Sequence, residues 1–243
     1  ASQKARDGKN LKKPFCRAQK LPKALQAAFR NMDPRYSKLA KTLCGHSAKI
    51  AQGEHVLLDL SETPAEMAEA LIAEISARGA YPHAEISNPR ISRALALAAT
   101  PERLAVAAEC ALEKIKKMDA YIAIRGAANI FENSDVPQAN MAKIAAAMKP
   151  AVDWRVNKTK WVVLRWPTPA MAQQAQMSSE AFEDFYFRVC TMDYDRMEEG
   201  MEAARRLMES ADKVHITGPG TDLSFSIKSM PAIPCGGQYN IPD

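Results

Sequence analysis

The sequence predicts an α/β protein, with a mainly parallel sheet flanked by helices in an N-terminal domain and antiparallel strands opening a second domain after it. Three observations predict this. Short apolar runs alternate four times with longer helical stretches between residues 55 and 166, the pattern of βα units. Several helices carry start and stop punctuation, with Thr-Pro entries and a Gly exit. Beyond residue 166 the texture changes to nearly continuous helix, then to strands that alternate apolar and polar residues.

The elements follow in chain order. From Met32 a short amphipathic helix is expected, with Leu39, Leu43 and Ile50 on one buried side. After the turn at Gly53, HVLLDL (55–60) reads as a first strand. In SETPAEMAEALIAEISARG, Thr63 is expected to cap, Pro64 to take the first helical position, Glu66 to complete a capping box and Gly79 to end the helix. Met67, Leu71 and Ile75 form its apolar stripe. AYPHAEI (80–86) is a second strand, followed by a helical stretch from about Ile91. TPERLAVAAECALEKIKKM (100–118) repeats the Thr-Pro start. AYIAI (120–124) is a third strand, an Ala-rich helix lies around Gln138–Met148, and KWVVLRW (160–166) is a fourth strand.

The next segment, from Thr168 to Asp212, reads as almost entirely helical, with Ser178 or Ser179 as a cap. KVHITG (213–218) and DLSFSI (222–227) are expected as antiparallel strands, and the closing CGGQYNIPD (235–243) as loop. These shifts divide the chain into a basic, disordered extension (1–31), an N-terminal α/β domain (32–190), and a linker helix with the start of a second domain (191–243).

Charge is unevenly spread. Nine of the 33 Lys and Arg residues but only one of the 28 acids, Asp7, fall in residues 1–31, so this segment is +8 and the remainder is −3. Any nucleic-acid role is thereby confined to the first 31 residues. An appended or mis-started segment is the favoured reading, with Met32 as a plausible start. A transit peptide is the alternative, with the scarcity of serine against it. No apolar run approaches the roughly 18 residues of a membrane span. The five cysteines, Cys16, Cys44, Cys110, Cys190 and Cys235, are odd in number and scattered without CxxC spacing, which suits free thiols in a reducing, cytoplasmic setting.

Candidate sites are few. GPGTD (218–222) lacks the third glycine and the following helix of a dinucleotide loop and reads as a tight β-turn. His46, His55, His83 and His215 stand far apart in sequence, with no HExxH or HxH pair, and His215 reads as a packed or edge strand residue. A reactive Cys235 would need a histidine and an orienting amide, so a structural cysteine in a Gly-rich turn is the simpler reading. Asp193, Asp195, Glu198, Glu199 and Glu202 read as solvated helix faces, and Trp154, Trp161 and Trp166 as packing around one strand. Residue chemistry alone assigns no catalytic, metal-binding or cofactor-binding residue.

Particular strings carry more information. MDPRYSKLAKTL, the GEHVLLDLSE entry into the first strand, RWPTPAMAQQAQMSSEAFEDFYF and HITGPGTDLSFSI with GGQYNIPD resemble the thermophilic-type metallo-aminopeptidases, the family of aminopeptidases T and S. The resemblance spans Met32 to Asp243. It implies release of N-terminal amino acids from peptides with two bound divalent metal ions (zinc, cobalt or magnesium), an N-terminal α/β domain before a catalytic domain, a cytoplasmic homodimer, and neither membrane nor nucleic-acid partners. One ion-activated water and one polarised carbonyl suit that chemistry.

In that family the NIPD-like loop runs into a Gly-Glu whose glutamate is the first metal ligand. The resemblance thus places every metal and catalytic residue beyond Asp243. It implies a segment that binds no metal ion and is inactive alone. The alternative is a non-catalytic α/β binding or oligomerisation module. On either reading the strands at 213–227 have an unpaired edge, which favours association with another chain.

Overall fold

The computed structural model describes residues 32–242; the basic extension and Cys16 lie outside the described residues. Helix α1 (Pro34–Thr42) is capped by Asp33, whose carboxylate accepts from the Arg35 N–H, and passes into a π-helical turn, Leu43–Ser47. Strand β1 (His55–Ser61), helix α2 (Ala65–Ala77), strand β2 (Tyr81–Ser87), helices α3 (Pro89–Leu97) and α4 (Pro101–Ile115) and strand β3 (Ala120–Arg125) follow. Helix α5 (Gln138–Lys158) leads to strand β4 (Lys160–Arg165). Three helices come next: α6 (Pro169–Gln174), α7 (Ser179–Cys190) and α8 (Tyr194–Ser210). Strands β5 (Lys213–Gly218) and β6 (Thr221–Ser226) form an antiparallel hairpin, and β7 (Asn240–Ile241) ends the described chain.

The main sheet has the order β2-β1-β3-β4-β7, and all its pairings are parallel. Helical crossovers are what parallel neighbours require. The α/β class with a mainly parallel sheet and a separate antiparallel pair is therefore the observed architecture. Register explains the packing. Leu58, Ile122 and Val162 form one cross-strand row, and Leu60, Ile124 and Leu164 the next. These point to the face covered by α1, α2 and α7, where Leu39, Leu43, Met67, Leu71, Ile75 and Phe187 complete the larger core. The odd-numbered partners Leu57, Tyr121 and Ala123 turn to the other face, against Ile115 of α4 and Trp154 of α5. Central strands thus read as continuous apolar runs because both faces are covered.

Several local expectations are corrected. The capping box at Thr63 and Glu66 does not form: Thr63 Oγ1 donates to the carbonyls of Ser61 and Ile124, so Pro64 occupies the cap position and α2 starts at Ala65. Thr100 and Thr168, in the same Thr-Pro setting, do cap. Ile50 is buried but lies past the π turn, outside the helix. The helix expected at Gln138–Met148 runs on to Lys158 across Pro150, which is exposed, so water can take the carbonyl that proline leaves unbonded. The Asn-Ile-Pro-Asp loop opens with β7, whose Asn240 and Ile241 pair with Val163 and Leu164. Pro219-Gly220 turns the hairpin, with Gly220 at φ +70°, as a type II turn needs.

Candidate functional site

Among the described residues, surface depressions flank the larger core. At the carboxyl ends of β1 and β3, where the strand order reverses, Glu62, Thr63, Pro64, Ala128 and Trp166–Pro169 line a cleft of about 360 Å³. Such crevices are where open α/β sheets bind ligands. Glu62 adopts φ +44° there, and its carboxylate accepts from the Ala128 N–H at 2.6 Å. A second groove of about 880 Å³ runs between α1 and α7, past Arg35, Lys38, Met177, Arg188 and Met192. Arg35 anchors its wall, donating to Asp33, Glu183 and Asp184 at 2.6–2.8 Å. Those hydrogen bonds hold the Asp33 carboxyl below the usual carboxylate range.

The third cleft, about 330 Å³, adjoins the second and holds the most chemically differentiated cluster. The π turn presents His46 into it. Mid-chain π geometry of this kind is rare and recurs at functional sites. The His46 ring stacks on Tyr194 with 5.5 Å between centroids and leaves its side chain only 7% exposed. Nε2 lies 2.5 Å from the Gly236 carbonyl oxygen and Nδ1 lies 2.7 Å from Asp195 Oδ1. A carbonyl can only accept, so Nε2 carries a proton and donates. Nδ1 then faces a carboxylate, and two acceptors at that distance need a proton or a cation between them. Glu198 completes a group whose ligand atoms all lie within 4.8 Å of one another, and among the described residues no other group of three His, Cys, Asp or Glu is so placed. Gly237 keeps the loop against this ring: at φ +78°, any Cβ would stand 2.8 Å from the Tyr194 ring.

Other candidate residues are placed as follows. His55 and His83, expected far apart, meet across β1 and β2 with Nδ1 and Nε2 2.9 Å apart, because parallel register makes them diagonal neighbours. His215 is an exposed hairpin residue paired with Asp222 at 2.7 Å. Asp193 caps α8, and Glu202 is tied to Arg205 and Arg206, whose hydrogen bonds pull its carboxyl down to about 2. Asp195, expected only as part of a solvated face, is the His46 partner. Cys235 is exposed and its thiol has only a 3.9 Å contact to the Ile233 carbonyl. Burial pushes the Cys44 and Cys190 thiols up to about 12, so both stay protonated at neutral pH. No sequence signal joins His46 to Asp195 and Gly236, which are 149 and 190 residues away.

The model of one protein family, described as thermophilic metalloprotease (M29), matches residues 32–239. No curated protein matches at a significant level. Among solved structures, wild-type AmpT from Thermus thermophilus superimposes with a TM-score of 0.63 at 17% identity, over 86% of this chain and 59% of that one. This likeness is one of fold, and the chain spans only that 59% of the AmpT chain. A metalloprotease family implies divalent metal use, so ligand count is the relevant test. A catalytic ion takes about three protein donors and keeps an open position. His46, Asp195 and Glu198 supply donors for one ion, and two of the three are exposed carboxylates. They do not fit a two-ion hydrolytic centre.

Proposed function

We propose that this chain, which belongs to the thermophilic metalloprotease (M29) family, is the substrate-framing part of a two-metal aminopeptidase. The observation that carries the reading is the family match across residues 32–239. The α/β domain, placed at 32–190, frames the cleft and limits entry to short or unfolded peptides. Residues 191–243 lead into the catalytic domain. The two-ion centre and its general base lie outside the described residues, and zinc, cobalt or magnesium are the ions that suit it. We place the protein in the cytoplasm. Among the described residues no helix is long and apolar enough to cross a membrane.

Activity tests this directly. Residues 1–243 alone are expected to release nothing from a leucine anilide, with cobalt, zinc or magnesium added. Metal-dependent turnover by this chain would overturn the placement of the hydrolytic centre. A longer protein carrying the segment is expected to shorten a peptide from its free amino end, one residue at a time by mass spectrometry. Equal cleavage of an N-acetylated copy rejects the aminopeptidase assignment.

A homodimer belongs to the same reading, and the hairpin supplies a face for it. Val214 pairs with Phe225 and Ile216 with Leu223, so four apolar side chains share one side of a two-stranded sheet. Ile216, Leu223 and Phe225 are 46%, 50% and 42% exposed. The same face favours the second reading, a non-catalytic oligomerisation module, which the activity of the longer protein separates from the first. Sedimentation velocity is expected to show self-association of residues 1–243 at high concentration, abolished by Ile216→Lys with Phe225→Lys. A wild-type chain that stays monomeric removes the hairpin as the contact.

A further inference from the structure

We propose that His46, Asp195 and Glu198 bind a single divalent cation of the zinc class, separate from any hydrolytic centre, which fastens the start of α8 and the 235–241 loop to the π turn. The imidazole is prepared for this. Its ring is buried on Tyr194, and Nε2–H is committed to the Gly236 carbonyl. A ligating histidine usually shows this arrangement, because a backbone acceptor on one nitrogen fixes the tautomer and leaves the other nitrogen's lone pair for the metal. The other nitrogen, Nδ1, is the one aimed at Asp195, and Glu198 belongs to the same group of donors.

A small adjustment of distance is needed. Zinc–nitrogen and zinc–oxygen bonds of about 2.0–2.2 Å at tetrahedral angles separate two donors by roughly 3.3 Å. Nδ1 and Asp195 Oδ1 stand at 2.7 Å, the spacing of a shared proton. Opening by about 0.6 Å falls on the Asp195 side chain, which is 85% exposed. Glu198 is exposed as well, one helical turn further on the same face of α8. One imidazole with two carboxylates is a donor set that zinc accepts, and water completes the shell. Lys38 and Lys41 line the same cleft and oppose a cation, whereas Asp193 favours one. The affinity therefore rests on direct ligation more than on the field of the cleft.

Calorimetric titration of zinc into EDTA-treated residues 1–243 tests the site. A background with Cys110→Ser and Cys235→Ser removes the exposed thiols, and Cys16→Ser removes the one outside the described residues; the His55–His83 pair remains as a background contribution. One zinc equivalent is expected beyond that contribution. Asp195→Asn with Glu198→Gln, two exposed positions that leave the fold intact, is expected to weaken that equivalent at least tenfold. His55→Ala with His83→Ala is expected to leave it unchanged. Identical titrations for the carboxylate variant and its parent, or no zinc uptake lost with either pair, overturn the site. None of these readouts involves peptide hydrolysis, so the outcome is independent of the aminopeptidase reading.

Discussion

Replacing Phe187 with alanine is expected to cost about 4 kcal/mol of folding stability, within the range for truncating a buried aromatic. Its side chain is 2% exposed and joins three elements. The ring of Tyr36, on α1, lies 5.7 Å away, and the Trp166 indole, at the end of β4, meets it edge-on at 5.7 Å and 80°. The Arg35 guanidinium sits 4.8 Å over its remaining face. Truncation thus opens a cavity and loosens the cation that holds Asp33, Glu183 and Asp184. Phe185, two residues earlier on the same helix, is 47% exposed, and alanine there is expected to cost less than about 0.5 kcal/mol. Urea unfolding of the two variants measures the contrast. Equal losses would mean that α7 does not pack as described.

The same contrast shows what was legible in the sequence. Where a segment's burial repeats along the chain, pattern was enough. HVLLDL and AYIAI are short apolar runs buried on both faces, and both lie inside the sheet, away from its edges. AYPHAEI was legible as a strand, yet its exposure as the outer edge was not, since edge and centre differ in neighbours rather than in backbone preference. Capping was legible only in part. Three Thr-Pro entries look alike, but Thr63 finds the carbonyls of Ser61 and Ile124, and Ile124 is 61 residues away. The His46 cluster was illegible for the same reason. Its three anchors come from the π turn, the first turn of α8 and the closing loop, and only folding brings them together. The Cys-Gly-Gly run read only as a Gly-rich turn, and nothing in it pointed to the Tyr194 ring that Gly237 approaches.

Gly126 carries the other large effect, because it sits where β1 and β3 end side by side at the reversal of strand order. Its N–H donates to the Ser61 carbonyl at 2.7 Å. A Cβ there would stand 2.5 Å from the Glu62 carbonyl oxygen and 3.0 Å from that of Ser61. Both are backbone atoms and cannot rotate away, unlike the Arg78 guanidinium that a Cβ on Gly45 would meet. Glu62 has no slack either, being held at φ +44° with its carboxylate on the Ala128 N–H. Gly126→Ala must therefore push the two strand ends apart, and a loss of about 3 kcal/mol or more is expected. Gly200, inside α8 with nothing within 4 Å of its would-be Cβ, is the opposite case. Alanine there is expected to gain up to about 1 kcal/mol through helix propensity alone. Thermal unfolding of both variants should move the midpoint in opposite directions. A Gly126→Ala protein as stable as its parent would mean that the strand ends do not meet this closely.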